Sequence, residues 1–300
     1  MRPEFLKAGD TIGIVAPARH ISSEELMPTI NFLQRHQFRV QLGNHLFTKY
    51  NQFAGTDEER ASDFQQMLDN HNIKAILCAR GGYGSVRIID KLDFSEFLKH
   101  PKWICGYSDI TVFHSHLHRN FQISSIHCLM PVNITNSNES EQGASTFLQA
   151  ITGDKLTYQT PHNLFNRHGE ASGVIVGGNI SVLYALLSSS SDIDTKGKIL
   201  FIEDLDEYLY HIDRMMMSLK RAGKLEHLSG LIVGGLSDMH DNTIPFGRTA
   251  EEIIAEHCQE FDFPIVFNFP AGHINPNSAI RLGETIHIKV TQNQGANIIF

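Results

Sequence analysis

Strand-like apolar runs alternate with capped helices through the first half of the chain, and this alternation limits the possible folds more than any other feature. The runs typical of buried strands occupy residues 11–18, 38–42 and 73–79. Two capping boxes, each of which marks the start of a helix, lie between them at Ser22–Glu25 and Thr56–Glu59. Because strands and helices that alternate along a chain pack as a parallel sheet covered by helices, the sequence predicts an α/β fold with a Rossmann-like N-terminal domain.

A polar, turn-rich segment interrupts this pattern. It begins at Asn133 and is rich in Asn, Ser and Glu up to Gly143, a composition typical of loops. We therefore predict an N-terminal domain over residues 1–132, a linker over 133–170 and a C-terminal domain over 171–300.

The second half has a more varied pattern. Strand-like runs separated by helix patterns occupy residues 173–179, 198–202 and 230–235. The tail differs, because residues 285–290 and 296–300 alternate or run apolar on either side of a turn, as in an antiparallel pair. The C-terminal domain is therefore predicted to be smaller and of mixed α+β type.

Charge and composition restrict the partners. The 300 residues carry 25 Lys and Arg against 33 Asp and Glu, a net charge of −8, without a basic block that could follow a phosphate backbone. We therefore expect no nucleic-acid partner. The amino terminus has charges where a secretory signal needs apolar residues, and no run approaches the roughly 18 apolar residues of a membrane span. We expect a cytoplasmic protein with no membrane partner.

Three apolar runs lead to residues that could form a hydrolytic triad. These residues are Ser108, Glu203 and His273, and the runs before them are 103–105, 198–202 and 264–272. In open α/β sheets the ligand crevice lies at the carboxyl ends of the strands, so side chains placed there can converge although they are distant in sequence. The arrangement indicates a serine hydrolase.

Ser108 lies at a predicted turn between a strand and a helix. Its Oγ would be exposed there, and the N–H of Asp109 would point forward from the helix start, where unpaired backbone donors favour an oxyanion. The turn departs from the Gly-x-Ser-x-Gly pattern of common α/β-hydrolases because Ile110 fills the fifth place. The local sequence by itself favours an ordinary capped turn over a nucleophile elbow.

The segment 80–84, Arg-Gly-Gly-Tyr-Gly, follows the third strand. Glycines at this position let the backbone approach a ligand closely and present N–H groups to it. A dinucleotide-binding loop is disfavoured, since the first strand ends in Ala-Pro-Ala-Arg at 16–19, without Gly-x-Gly-x-x-Gly. From the residues alone, a plain turn remains an equal alternative.

The orienting acid and the base are chosen from larger sets. Glu203 is preferred within the acidic cluster 203–207 because it comes first after its strand, and Glu207 is the alternative. A lone acid at a strand end is usually a solvated cap. His273 is preferred among 17 histidines because Gly272 and the apolar run before it place it at the same edge. Its partnership with an acid and a serine distinguishes it from a surface histidine.

The histidines of His-Ser-His-Leu-His at 114–118 are the other candidate cluster. His114 and His118 share a helix face, but His116 points elsewhere and no acid completes a His-Glu-x-x-His pattern. Cys105, close to Ser108, is interpreted as a buried strand residue rather than a nucleophile. The sequence thus predicts neither a metal nor another cofactor.

Four signatures together resemble the LD-carboxypeptidase family. They are Ala-Arg-Gly-Gly-Tyr-Gly at 79–84, Gly-Tyr-Ser-Asp at 106–109, Ile-Glu-Asp at 202–204 with Ile-Asp-Arg at 212–214, and Gly-His at 272–273. The resemblance covers nearly the whole chain in the family's order, which makes it more specific than any single signature. It implies a serine carboxypeptidase that removes the terminal D-alanine from murein tetrapeptides in cell-wall recycling.

The resemblance also implies roles for the candidate residues. Ser108 is the nucleophile, His273 is the general base and then acid, and Glu203 orients the imidazole. The oxyanion is bound by backbone N–H groups, namely those of Asp109 and of either Gly81 or Gly82.

Arg80 is the candidate for binding the free carboxylate of the departing D-alanine. It directly precedes Gly81, and a guanidinium can hold a carboxylate with two parallel hydrogen bonds. An interdomain salt bridge with an acid of the 203–207 cluster is the equal alternative.

Two other functions remain open. The family's microcin-resistance branch cleaves peptidyl or aminoacyl nucleotides and stacks an aromatic side chain on the base, but the single tryptophan, Trp103, lies in a strand predicted to be buried. The second alternative is a non-catalytic binding protein on the same fold, which would not need Ser, Glu and His together. The sequence leaves the oligomeric state open, with a homodimer as one candidate.

Overall fold

The computed structural model describes residues 1–134 and 141–300 as two β-sheets with helices packed against them. Part of the polar stretch on which the domain boundary was predicted, residues 135–140, lies outside the described residues. Among the residues that are described, no helix is long and apolar enough to cross a membrane.

The first sheet is built mainly from the first half of the chain. Its strands there are β1 (Thr11–Val15), β2 (Arg39–Leu42), β3 (Ile73–Cys78), β4 (Trp103–Gly106) and β5 (Ser125–His127). They lie in the order β5-β4-β3-β1-β2, and each neighbouring pair is parallel. The prediction of a parallel N-terminal sheet is confirmed.

The two helices with predicted capping boxes begin where the sequence places them. Ser22 caps α1 (Ser23–Arg35), and Thr56 caps α2 (Asp57–Asp69), each in a reciprocal capping box with the glutamate three residues later. The helices that follow in the described residues are α3 (Ser85–Ile88), α4 (Ser95–Lys99), α5 (Thr111–Phe121) and α6 (Glu141–Thr152). Single 3-10 turns occupy Ile89–Lys91, Ser108–Ile110 and Pro131–Asn133.

The second half supplies the remaining strands and helices. The strands are β6 (Thr157–Thr160), β7 (Gly169–Asn179), β8 (Ile199–Leu205), β9 (Gly230–Ser237), β10 (Ile265–Val266), β11 (Ile280–Leu282), β12 (Thr285–Val290) and β13 (Ala296–Ile299). The helices are α7 (Ile180–Ala185), α8 (Leu209–Arg221) and α9 (Ala250–His257).

The second sheet is mixed, as predicted. Its order is β10-β9-β8-β7-β12-β13-β6. The strands from β10 to β7 pair in parallel, whereas β7, β12, β13 and β6 pair antiparallel. The antiparallel pairing of the tail strands β12 and β13 follows the pattern read from the sequence.

Two strands cross the predicted domain limits. β6 lies in the segment predicted as a linker, yet it pairs with β13 in the second sheet. β11 lies in the predicted C-terminal domain, yet it pairs antiparallel with β5 of the first sheet, with Ile280 opposite His127. The described part of the linker segment therefore contains a helix and a strand, and the two sheets are joined through more than one connection.

The two sheets also share a core. One cluster of buried side chains includes Ile126 on β5, Phe201 on β8 and Ile280 on β11. Nearby, the N–H of Asn179 at the end of β7 donates to Thr111 Oγ1 at the start of α5, over 3.0 Å. These contacts place the turn after β4 beside the carboxyl ends of the parallel strands of the second sheet.

Candidate active site

Ser108 lies on a sharp turn between β4 and α5. Gly106, the last residue of the strand, has φ of 151°, and Ser108 has φ of 63°, in a region that residues other than glycine rarely adopt. The 3-10 turn Ser108–Ile110 then leads into α5. The turn places Ser108 at the wall of a cleft, in the strand-to-helix position that the sequence predicted, and a strained backbone of this kind is typical of functional sites.

The glycine loop after β3 lies against Ser108. A β-carbon added at Gly81 would lie 3.0 Å from Cβ and 3.2 Å from Oγ of Ser108. Gly82, the alternative oxyanion residue, has φ of 105° and lies against the side chain of Arg19. Both glycines line the same cleft as the serine. The structure thus brings the predicted loop to the predicted nucleophile.

The side chain of Asp109 ties the turn to the segment that follows this loop. Its carboxylate accepts a hydrogen bond from the N–H of Ser85 at 2.8 Å, and it is buried. Burial raises the pKa of Asp109 above its usual range, although the bond from Ser85 opposes the shift. The sequence pointed only to the backbone N–H of Asp109, so this side-chain contact is an addition from the structure.

His273 and Glu203 form a hydrogen-bonded pair. His273 Nδ1 lies 2.7 Å from Glu203 Oε2, and the backbone N–H of His273 donates to the same oxygen over 3.3 Å. The glutamate is fully buried, with 0% exposure. Its other oxygen, Oε1, has no hydrogen-bond partner among the described residues. In the part of the chain described, the carboxylate of Glu203 therefore bonds only to His273, through the imidazole and through the backbone N–H of that residue.

The structure corrects how these two residues are positioned. Glu203 is the fifth residue of β8 and not the first residue after it, because the strand continues to Leu205. Of the apolar run 264–272, only Ile265–Val266 forms a strand, β10, and His273 therefore lies in the loop that follows rather than directly at a strand end. Side chains outside that strand hold the loop: Ser237 Oγ donates to the carbonyl of His273, and Gly272 N–H donates to Asn277 Oδ1, each at 2.9 Å.

Ser108 and His273 line one cleft of about 510 Å³. The ring of Tyr107, next to the serine, lies 4.7 Å from the imidazole of His273 between centroids. No direct hydrogen bond joins Ser108 to His273 within residues 1–134 and 141–300. Such bonds are often absent or long before substrate binds. The cleft therefore brings Ser108 and the glutamate-paired His273 to one space.

Glu207, the alternative orienting acid, pairs with a different histidine. Its Oε2 lies 2.5 Å from Nδ1 of His211, which is in the first turn of α8. It lines the cleft but does not contact His273 within the described residues. The geometry therefore favours Glu203 as the partner of His273.

Arg80 lines the cleft and also forms an ion pair. Its Nη1 lies 3.2 Å from Oε1 of Glu25, the residue that closes the capping box of α1. The suggested partner in the 203–207 cluster is wrong, because the salt bridge runs within the N-terminal half. Part of the charge of Arg80 is thus already compensated by a protein carboxylate.

Sequence reasoning missed the contact between two cleft residues, Asp204 and Asn179. Asp204 accepts hydrogen bonds from Asn179 Nδ2 at 2.8 Å and from the N–H of Ser181 at 2.9 Å. Burial, with a smaller contribution from the charge of Glu203, raises the pKa of Asp204 to about 7. The signal that could have found them is the Gly-Gly-Asn sequence that ends β7, because its strand lies directly beside β8.

Two histidines of the tract, His114 and His116, are engaged in other contacts, whereas His118 is buried and its ring has no hydrogen-bond partner among the described residues. His114 lies between Ser125 Oγ at 2.8 Å and the carbonyl of Gly106 at 2.9 Å, and burial lowers its pKa to about 4. His116 Nδ1 contacts Ser191 Oγ at 2.9 Å. In the described part of the chain no group of three or more His, Cys, Asp and Glu side chains could hold a metal ion. Cys105 is buried, and burial raises the pKa of its thiol well above the usual value, as fits an inert strand residue.

The fold and the cleft define a class of protein. It is an α/β protein of two sheets. A serine on a strained turn, a histidine and a buried glutamate lie beside the ends of its parallel strands, and this arrangement of side chains is typical of hydrolases.

The chain belongs to the LD-carboxypeptidase family. Residues 12–128 match the model of the LD-carboxypeptidase N-terminal domain, and residues 172–288 match that of the C-terminal domain. The resemblance read from the four signatures is confirmed, and the chain is a hydrolase of the LD-carboxypeptidase type.

Relatives and solved structures agree with this assignment. A protein of Bacillus subtilis named "Probable murein peptide carboxypeptidase" is 35% identical over 289 residues, which cover 94% of this chain and 89% of the relative. The microcin C7 self-immunity protein MccF of Escherichia coli is 26% identical over 320 residues, covering 94% and 91%. The crystal structure of muramoyltetrapeptide carboxypeptidase from Oxalobacter formigenes has the same fold, with a TM-score of 0.88, 24% identity and coverage of 96% and 98%.

Proposed function

We propose that the chain is a serine carboxypeptidase that cleaves the LD bond before the terminal D-alanine of murein tetrapeptides, with Ser108, His273 and Glu203 as its triad. One observation carries the proposal. His273 Nδ1 bonds to the buried Glu203 carboxylate at 2.7 Å, while His273 and Ser108 line the same cleft. The substrate class rests on the names of the relatives, which refer to murein peptides and to muramoyltetrapeptide.

In the first half-reaction, Ser108 Oγ attacks the carbonyl carbon of the scissile bond while His273 Nε2 accepts the hydroxyl proton. Negative charge develops on the carbonyl oxygen, which backbone N–H groups of Asp109 and of Gly81 or Gly82 stabilise. His273 then gives the proton to the nitrogen of D-alanine, and the C–N bond breaks. The remaining peptide is left as an ester on Ser108.

In the second half-reaction, a water molecule takes the place of D-alanine. His273 removes a proton from the water as its oxygen attacks the ester carbonyl, and the same oxyanion donors act again. His273 returns the proton to Ser108 Oγ as the C–O bond breaks. The products are a shortened peptide with a free carboxylate and the regenerated serine.

Glu203 has two tasks in this sequence. Because Glu203 Oε2 accepts a hydrogen bond from the protonated Nδ1 of His273, the other ring nitrogen, Nε2, is left free to accept the proton of Ser108. The buried carboxylate also stabilises the imidazolium that forms in each half-reaction, and this attraction is stronger in a site from which water is excluded.

A serine-directed phosphonate tests the enzyme against a non-catalytic binding protein. We expect one adduct on the wild-type protein by intact-mass measurement and none on Ser108→Ala. Ser95 is an exposed serine that does not line the cleft. Ser95→Ala is therefore the matched control and should form the same phosphonate adduct as the wild type. Equal labelling of Ser108→Ala would place the reactive hydroxyl elsewhere.

The substrate class is tested with three compounds: a murein tetrapeptide, the DD-pentapeptide that carries one more D-alanine, and an aminoacyl adenylate. We expect D-alanine release from the tetrapeptide alone. Hydrolysis of the adenylate in preference to the tetrapeptide would favour the function named for MccF.

Trp103 bears on that second function, which the sequence analysis linked to aromatic stacking. The indole is fully buried, stacks on Phe5 at 5.7 Å between ring centroids, and donates through Nε1 to the carbonyl of Glu4 at 2.9 Å. The prediction that Trp103 is buried is confirmed. It is therefore engaged in the core and does not line the cleft.

A further inference from the structure

Arg19 is a second cleft arginine, and its side chain lies along the glycine loop. The residue follows β1, and its N–H donates to the carbonyl of Gly81 at 3.3 Å. A β-carbon added at Gly82 would lie 2.5 Å from Cδ and 2.6 Å from Nε of Arg19. The missing side chain at position 82 therefore makes room for the arginine, which rests directly on the loop that contacts Ser108.

The two cleft arginines differ in their partners. Arg80 is paired with Glu25 at 3.2 Å. Arg19 is exposed, and among the described residues its guanidinium has no carboxylate within salt-bridge distance and no hydrogen-bond acceptor. An unpaired guanidinium in a substrate cleft is available to a ligand carboxylate, which it can hold with two parallel hydrogen bonds.

The charge distribution gives the cleft a direction. The arginines lie at the glycine loop, whereas two further acids of the cleft lining, Asp206 and Glu207, follow the end of β8. A ligand carboxylate is repelled by these acids and attracted toward Arg19. In the glycine loop, Gly81 lies against Ser108, and the next residue, Gly82, lies against Arg19. The cation is therefore one residue along the loop from the point where the reacting carbonyl would lie.

We propose that Arg19 binds the free α-carboxylate of the departing residue and so restricts the enzyme to chain ends. The inference rests on the proposed function and adds to it the residue that selects a terminal carboxylate. It also divides the work of the two glycines. Gly81 is the residue in contact with Ser108, and Gly82 provides the surface on which Arg19 lies.

The test compares two substrates that differ only at the terminus, a tetrapeptide free acid and its C-terminal amide. Arg19→Gln should lower kcat/KM for the acid by about 10- to 100-fold, the usual effect of losing charge-assisted hydrogen bonds, and should change the amide little. Arg19→Lys should recover part of the preference for the acid, since the charge remains while the two-pronged geometry is lost.

Two arginine variants serve as controls. Arg80→Gln removes the other cleft cation, and Arg39→Gln removes an exposed arginine on β2 that does not line the cleft. We expect Arg39→Gln to leave the ratio of acid to amide turnover unchanged, and Arg80→Gln to lower it by much less than Arg19→Gln does. An acid-selective loss in Arg80→Gln with none in Arg19→Gln would overturn the inference, as would equal losses on acid and amide in Arg19→Gln.

Gly82→Ala examines the same contact from the other side. The added methyl group should displace Arg19 and lower the preference for the acid, and the double variant with Arg19→Gln should lose no further selectivity. Additive losses of selectivity would contradict the inference.

Binding separates this inference from the proposed function. In the Ser108→Ala background, calorimetry should show tighter binding of the acid than of the amide, and Arg19→Gln should abolish the difference. If the wild type cleaved neither peptide but bound the acid through Arg19, the proposed function would fail alone. Absence of an Arg19-dependent difference in binding would refute the inference whatever the turnover.

Discussion

Gly272 and Glu203 are packed so closely that a β-carbon at position 272 would lie 2.7 Å from Oε2 and 2.8 Å from Cβ of the glutamate. Gly272 also has φ of 108°, which glycine adopts readily and other residues do not. Glu203 reaches His273 across the space that a side chain at position 272 would fill.

Gly272→Ala should therefore lower kcat/KM by about 10- to 100-fold, because small displacements of catalytic groups have effects of this size. Gly9→Ala is the matched control, since Gly9 has φ of 90° but a β-carbon there would meet nothing within 4 Å. Both variants carry backbone strain, and only the first displaces Glu203. Similar activity of the two, measured on samples of equal folded fraction, would show that strain rather than the contact with Glu203 is responsible.

Ser108→Ala should remove nearly all turnover, since loss of a triad nucleophile can reduce kcat by about 10⁶. Release of D-alanine from a murein tetrapeptide is the measurement, and circular dichroism checks that the fold is kept. Alanine tolerates the unusual backbone of position 108 about as poorly as serine does, so no large change in stability is expected. Turnover comparable to that of the wild type in a clean preparation would remove Ser108 from the mechanism.

Glu203→Gln should reduce kcat by up to about 10⁴, because an amide cannot stabilise the imidazolium. Glu207→Gln should change it by less than about fivefold, as expected for loss of a partly exposed ion pair, here with His211. The opposite ranking of the two variants in the D-alanine assay would transfer the orienting role to Glu207.

Asp204 should make stability depend on pH. Its pKa of about 7 in the folded protein lies above the ordinary value of 3.8 because the carboxyl is buried. The folded state then binds more protons than the unfolded state between these values, so raising the pH lowers the free energy of unfolding. The stabilisation relative to an ionised carboxyl is complete below about pH 4 and is lost as the pH rises through about 7.

Asp204→Asn cannot ionise and should lack this component. The free energy of unfolding of the wild type minus that of the variant, from urea titrations, should fall by at most a few kcal/mol between pH 4 and pH 7, at about 1.4 kcal/mol per pKa unit. A difference that stays flat or rises with pH would mean that Asp204 is ionised throughout.

Turnover should survive chelation. The proposed steps use the side chains of Ser108, His273 and Glu203 together with backbone N–H groups, and none of these needs a metal. The histidines at 114 and 116 are engaged with Ser125, Gly106 and Ser191. Rates measured before and after dialysis against EDTA should agree. Loss of activity with EDTA and recovery with zinc would require a different mechanism.

Local features of the fold were predictable because they depend on neighbouring residues. The capping boxes at Ser22 and Thr56 need only a partner three positions away, and both helices begin there. Ser108 was placed on its turn for a similar reason, since Gly106 marks the end of an apolar strand.

Features that depend on distant segments were not predictable in the same way. Glu203 was placed after its strand because the apolar run ends at Ile202, whereas the strand continues through Glu203, whose buried carboxylate has its partner in His273, 70 positions further along the chain. Asp204 was overlooked because its partner Asn179 belongs to the neighbouring strand β7. Arg19 could not be distinguished from Arg80 by sequence, because Glu25, the partner of Arg80, lies 55 positions before it in the chain.

The pairing of β11 with β5 has a consequence for how the protein is made. The ribosome releases β5 long before Ile280–Leu282 has been synthesised, so the nascent first sheet has an open edge at β5 during this interval. Open edges invite pairing with other chains and are a common origin of aggregation. A message truncated before codon 280 should therefore yield an insoluble product rather than a stable serine-bearing half, and both halves of the cleft should mature only when the chain is nearly complete.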